Sequence, residues 1–401
     1  MSKKSKNFDM FYRDVDKIDI STQVLPGRMS SFSPQKPYNT LPPLPPATEI
    51  ETHVVLKACI EARAAIAELK QCGRLIPNQT MLINTIPVLE AQASSEIENI
   101  VTTADRLFQF FNTKDELIDP ATKEALRYGT ALRMGFASLK TRPITKNTAI
   151  EICSVIKAVD MEVRRVPGTA LVEQNSGKVI YTPPEGAELL YQMLSNWEQF
   201  LHEATDFDPL VRLAIMHYQF EAIHPFTDGN GRTGRILNIL FLIEQGLLEI
   251  PVLYLSRYII QHKQDYYHRL YQVTAKSNWQ DWILFMLNAI RETADWTAKK
   301  VNAIRQLMDE TIEYVKVKKP KIYSYELIEL IFIQPYCRIA NVTDAKIAQR
   351  QTAATYLKQL VEIGVLREVK VQREKLFIHP HILRLLNTDE DTIHPYLNHL
   401  P

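Results

Sequence analysis

The chain has 401 residues, 46% hydrophobic and 23% charged, a composition that supports an ample core and two or three domains. A net charge of +1 gives no overall electrostatic reason to expect a nucleic-acid or membrane-surface partner. Cys59, Cys72, Cys153 and Cys337 lack metal or redox spacing, no apolar run follows the basic Met1-Ser2-Lys3-Lys4, and no stretch approaches a membrane span, so reduced thiols and a cytoplasmic location are expected.

Residues 1 to about 48 read as an extended leader, because Pro34 and the proline run at 37–46 fix φ and restrain the residues before them. Such a run suits a polyproline-reading domain. A strap packed on its own domain is the favoured reading. From Glu49 the pattern turns helical, with Val54, Val55, Ala58, Ala62, Ala65, Ile66 and Leu69 at spacings of three and four, ending near Cys72-Gly73. A second helix is expected to open at Thr85-Ile86-Pro87, with a capping threonine and a proline in its first turn, and to reach Ile100. Ser94 and Glu98 share one of its faces, which by itself describes a solvated acidic face.

Helices are expected at 121–139 and 148–159. Between 166 and 184, two β-branched runs flank Asn175-Ser176-Gly177 and read as a β-hairpin with a free edge. A helix at 186–203 follows, and Asp208-Pro209 caps the next, at 210–223. His217 inside it reads as a packed histidine.

That helix delivers the most informative stretch, His224-Pro225-Phe226-Thr227-Asp228-Gly229-Asn230-Gly231-Arg232-Thr233-Gly234-Arg235, which opens into an apolar helix. Glycines admit a ligand close to the backbone, and a helix N-terminus favours an anion. Arg232 and Arg235, three apart, can reach the same phosphate chain. Asp228 is placed to hold a magnesium ion that also touches phosphate oxygens. His224 is the one group here able to take a proton near neutral pH. Together these point to nucleotidyl or phosphoryl transfer.

Further on, Tyr266 and Tyr267 read as core for at least one of the pair, and Trp279, Trp282 and Phe285 as core. A polar amphipathic helix at 295–319 reads as a linker. The tail then offers helices at 325–333, 344–350 and 352–363 and a hairpin at 366–378, which resemble a winged helix-turn-helix. Its third helix presents Gln351, Thr352, Thr355, Tyr356 and Lys358. With ten Lys/Arg against six Asp/Glu between Lys321 and Arg384, DNA binding by this domain is not favoured.

The stretch from His224 to Arg235 resembles, at every signature position, the motif of the Fic (filamentation induced by cyclic AMP) family. Ser94-x-x-x-Glu98-Asn99 resembles that family's inhibition motif, placed before the core. The resemblance covers nearly the whole chain, leader and tail included, and favours the strap for the leader. It implies a mainly α fold: a helical core with a β-hairpin flap, plus a C-terminal winged helix-turn-helix. The expected division is an N-terminal region at 1–110, a catalytic core at 111–300, a linker helix at 301–320 and the winged domain at 321–401.

The resemblance also implies a protein adenylyltransferase that moves AMP from ATP, with Mg²⁺, to a Ser, Thr or Tyr hydroxyl. His224 would be the base and Asp228 the metal ligand. Gly229, Asn230, Gly231, Arg232, Thr233, Gly234 and Arg235 would hold ATP, with Tyr267 beside the adenine and Phe226 anchoring the loop. Ser94, Glu98 and Asn99 would inhibit, Glu98 pairing with Arg235 in place of the γ-phosphate. The implied partner is a protein segment docked on the 166–184 flap, with self-modification expected and homodimerisation left open. The alternatives are removal of AMP at the same site and a winged-helix transcriptional regulator with a nucleotide-sensing Fic domain.

Overall fold

The structure is a computed structural model and describes residues 32–110, 118–172, 177–371 and 374–391. From residue 32 the leader lies as a strap on the helical body, with Tyr38, Leu41 and Leu44 buried. Prolines offer carbonyls but no N–H, so side chains of the body complete the strap's bonding. Asn196 accepts from Leu44 N–H at 2.7 Å and donates to its carbonyl at 3.0 Å, and Gln219 donates to the Pro42 carbonyl at 2.9 Å. The leader before residue 32 lies outside the described residues.

Helix α1 (His53–Arg74) is capped by Thr52. Helix α2 spans Thr80–Ile97, so it begins five residues before the expected start and carries Pro87 in its interior. Burial of Met81, Leu82 and Ile86 draws the extra turn into the helix, and the Thr85 hydroxyl donates back to the Met81 carbonyl at 2.8 Å instead of capping. Glu98 stands at its C-cap, and Asn99, at φ 61, turns the chain away. A short helix that periodicity does not announce, α3 (Ala104–Phe110), comes next.

Helices α4 (Pro120–Ser138) and α5 (Lys146–Lys157) start at the side-chain caps Asp119 and Thr145. A two-stranded antiparallel hairpin of β1 (Leu171–Val172) and β2 (Val179–Tyr181) pairs Leu171 with Tyr181. Of its expected turn, Asn175 and Ser176 lie outside the described residues. Then come α6 (Ala187–Glu203), α7 (Pro209–Ile223), α8 (Asn230–Glu244), α9 (Leu255–Gln261), α10 (Lys263–Lys276) and α11 (Trp279–Lys318).

Nearly every residue of α7 and α8 is buried, apolar and polar alike, which marks them as the centre of the molecule. Helix α11 runs unbroken for 40 residues, through the expected boundary at 300/301 and well before the expected start at 295. Its buried seam continues from Trp282 and Ile290 to Val301, Ile304 and Leu307, and it packs along α1. Those apolar positions sit among many charged neighbours, which gives the second half its linker-like composition. Trp282 and Phe285 are core, while Trp279 is half-buried against the Tyr218 ring.

The tail comprises α12 (Tyr325–Ile333), β3 (Tyr336–Cys337), α13 (Ile339–Asp344), α14 (Arg350–Glu362), β4 (Arg367–Val371), β5 (Glu374–Ile378) and α15 (Pro380–Asn387). The second helix thus ends where it was expected to begin. Asn341 accepts from Arg338 N–H at 2.7 Å and starts it early, and Lys346, at φ 57, prevents its continuation. The wing has three strands in the order β3-β5-β4, because β3 pairs with β5. Arg338 donates to the Gln109 carbonyl at 2.8 Å, and the Tyr336 ring stacks on Phe108, so this unit rests on α3. Among the described residues no helix is long and apolar enough to cross a membrane.

Candidate active site

The site forms where α7 ends and α8 begins. His224 closes α7 in the left-handed region, at φ 49, a conformation uncommon for a side chain of this size. Arg164 fastens the turn, donating to the carbonyls of His224 at 2.8 Å, Ile223 at 3.3 Å and Pro184. The His224 ring is buried, and neither nitrogen makes a hydrogen bond of ordinary geometry, although the Glu221 backbone carbonyl helps to hold a ring proton. Burial, and then the nearby Arg164 charge, push its pKa down to about 4 against the opposing pull of Glu98 and Asp228. At neutral pH the ring is uncharged and able to accept a proton.

Phe226 is fully buried, and Asn230 closes the loop around it. The Asn230 amide accepts from Phe226 N–H and donates to its carbonyl, both at 2.8 Å. This commits the Asn230 oxygen and one of its N–H groups to the loop. Gly229 holds φ 86, and a side chain there would also meet the Cys153 sulfur at 3.1 Å. Thr233 is fully buried beside Cys153, and Gly234 lets α8 approach α7, since a Cβ would lie 2.6 Å from a Glu221 oxygen.

The charged groups form two clusters. Asp228, with its side chain 43% exposed, lies 2.5 Å from Lys157 and 3.5 Å from Arg232. Glu124 joins both cations, at 2.8 Å from Lys157 and 2.6 Å from Arg232. Burial works against ionisation of Asp228, yet Lys157 and Arg232 outweigh it and hold the carboxyl below its ordinary pKa. In the second cluster, buried Arg235 donates to the Ser94 hydroxyl at 2.8 Å, the Ser94 carbonyl at 2.9 Å and Glu98 at 2.8 Å. Burial opposes its charge, but the Glu98 carboxylate beside it keeps it firmly protonated. A Cβ on Gly231 would lie 2.3 Å from the Glu98 oxygen, so glycine alone lets that carboxylate in.

The paired tyrosines divide. Tyr266 is buried and bonds His217 at 2.8 Å, while His217 stacks on Trp282 with its pKa pushed down to about 3 by burial. Tyr267 lines a cavity between α7, α10 and the β1–β2 hairpin, with Tyr218, Leu270, Tyr271, Leu171 and Ile180.

Several of these groups escape a reading of the sequence. Glu124 and Lys157 are ordinary charged residues on helices far from the motif, and only packing brings them to it. Arg164 likewise carries no local signal. Glu221 does carry one, as the single carboxylate in the otherwise apolar end of α7, three residues before His224.

Three family models match the chain: the Fic/DOC family N-terminal model at 56–137, the Fic/DOC family model at 144–242, and the C-terminal domain of SoFic-like protein adenylyltransferases at 307–382. A probable protein adenylyltransferase of Aquifex aeolicus is 40% identical over 77 residues, 19% of this chain and 23% of that protein. Protein adenylyltransferase Fic of Aedes aegypti is 31% identical over 112 residues, 27% of this chain and 21% of that protein. The chain thus matches less than a quarter of the length of either relative. The fold is similar to a crystal structure of a Fic family protein from Desulfovibrio desulfuricans G20, with a TM-score of 0.52 and 20% identity over 84% of this chain and 98% of that one. The chain therefore carries Fic/DOC family N-terminal and core domains, followed by a SoFic-like C-terminal domain.

Proposed function

We propose that the chain transfers AMP from ATP to a Ser, Thr or Tyr hydroxyl of a protein, itself included, and that Glu98 restrains the reaction by occupying Arg235. The observation that carries this reading is the juxtaposition of a neutral imidazole with two buried arginines at a helix N-terminus. The relatives named protein adenylyltransferase support it.

The acceptor oxygen attacks the α-phosphorus while its proton passes to His224, and the bond to pyrophosphate breaks. Arg232 and Arg235 take up the negative charge that develops along the phosphates, in a site where burial strengthens each interaction. The buried Phe226 and the Asn230 clasp keep the loop in one geometry, which matters because misplacement by about 1 Å can cost on the order of 10²-fold. The aromatic cavity at Tyr267 suits the purine by its flat, apolar lining. The hairpin offers the edge of β1 to an extended target segment.

For magnesium, the donor set fits an ion held mainly by substrate oxygens. One partly exposed carboxylate, Asp228, faces the loop, and among the described residues no group of three His, Cys, Asp or Glu could hold a metal without substrate. When bound, the ion supplies charge neutralisation on the triphosphate. Lys157, 2.5 Å from Asp228, must then yield its partner.

ATP labelled at the α-phosphate, compared with ATP labelled at the γ-phosphate, tests the reaction. Only the α-label is expected to reach protein, and His224→Ala is expected to lower incorporation by about 10²–10⁴-fold with ATP binding retained. Transfer of the γ-label, or a His224→Ala variant within a few-fold of the parent, would overturn the reading.

A further inference from the structure

Helix α2 carries three polar residues along one stripe at intervals of four, Glu90, Ser94 and Glu98. Ser94 and Glu98 both hold Arg235. Glu90 holds the core at a different place. Its carboxylate is buried and accepts from the Tyr128 hydroxyl of α4 at 2.8 Å, the Ser256 N–H of α9 at 2.8 Å and the Ser256 hydroxyl. Helix α9 begins after Tyr254 with no side-chain cap of its own, so the first-turn N–H of Ser256 depends on an acceptor from another helix. We infer that Glu90 is a positioning residue for the restraint: by stitching α2 to α4 and α9, it sets the register in which Glu98 meets Arg235. The inference rests on the adenylyl-transfer reading with its Glu98 restraint, and it names the residue that places the restraining carboxylate.

The mechanics of α2 call for such a stitch. Pro87 lies inside the helix and has no N–H, so the bond that its position would make to the Ile83 carbonyl is missing. The turns on either side of Pro87 are therefore joined by one bond fewer, and the part that follows depends more on its contacts with the core. Burial of Leu89 and Ile97 supplies attraction there, but attraction without direction. Three donors converging on one buried carboxylate supply the direction, fixing both the rotation of α2 and its position along its axis. Glu98 stands two turns further on, reaches Arg235 by one bond and sits close over Gly231. A small slide or rotation of α2 is enough to take it out of reach.

The test compares initial rates of AMP incorporation from α-labelled ATP for the full chain and for Glu98→Gly, Glu90→Leu, Glu90→Gln and Glu90→Leu/Glu98→Gly. Leucine fills the space but offers no acceptor, and Glu90→Leu is expected to run roughly tenfold faster than the parent, part of the about 10²-fold that misplacement by 1 Å can cost. In Glu90→Gln the amide oxygen can accept from the Ser256 N–H while its NH₂ donates to the two hydroxyls, which turn to accept, so this variant should stay near the parent rate. Once Glu98 is gone there is no restraint left to misplace, and Glu90→Leu/Glu98→Gly should match Glu98→Gly, a non-additivity that a merely structural role would not produce. A variant faster than the parent is necessarily folded. Should Glu90→Leu fail to fold, Tyr128→Phe/Ser256→Ala removes two of the three donors, leaves the backbone bond, and is expected to be faster than the parent in its place. A folded Glu90→Leu no faster than the parent overturns the inference, as does the same rate change from Glu90→Leu with and without Glu98. Glu98→Gly no faster than the parent would instead overturn the restraint, and no α-label on protein from any variant would overturn the adenylyl-transfer reading, so the three failures are distinct.

Discussion

The uncharged state of His224 is a property of its burial, and it has a thermodynamic consequence. An unfolded histidine takes a proton near pH 6.5, whereas His224 does so only near 4, and His217 and His379 only near 3. Between these values the unfolded chain binds more protons, so stability falls as pH drops from about 6.5 toward 4. Each such group contributes a slope of up to about 1.4 kcal/mol per pH unit. His224→Ala is therefore expected to flatten the acid side of the stability profile, measured by denaturant unfolding at several pH values, with little change in slope above pH 7. An identical slope below pH 6.5 would mean that His224 is already charged or solvent-bathed in the folded protein. The same low pKa leaves the ring unprotonated, and so free to accept a proton, across the physiological range, at a cost in basicity.

At the level of elements, much of the chain is legible where the signal is local. The Asp208 cap, the hairpin runs and the loop from His224 to Arg235 are each written in consecutive residues. Helix α2 shows the limit. Thr85-Ile86-Pro87 has the chemistry of a helix start, yet burial of Met81 and Leu82 extends the helix past it. The seam of α11 is hidden in the same way by charged neighbours, and Glu124 meets Lys157 only because α4 packs on α5. The strap illustrates the reverse case, a leader whose composition excludes helix but says little about what holds it. Asn196 supplies that hold, so Asn196→Ala should leave the Leu44 N–H and carbonyl unpaired and cost about 1–3 kcal/mol. Denaturant unfolding, together with proteolytic sensitivity of the leader, would register the change. A variant as stable and as protease-resistant as the parent would show that apolar packing of Tyr38, Leu41 and Leu44 suffices.

For the whole molecule, the proposed restraint depends on the position of Glu98. Helix α2, which carries it, packs against α4, α8 and α9 of the core and against α12 of the C-terminal unit. Glu98 and Arg235 are 137 positions apart and meet only through this packing, so the pair was accessible in the sequence solely through the family resemblance. The same packing sets the C-terminal unit, through α12, against the helix that carries Glu98. The most direct measurement is the initial rate of AMP incorporation from α-labelled ATP at saturating nucleotide, compared between the parent and Glu98→Gly. Freed of its carboxylate partner, Arg235 can meet the γ-phosphate, and Glu98→Gly is expected to incorporate AMP faster than the parent while Arg235→Ala loses activity. A Glu98→Gly variant no faster than the parent would contradict the account.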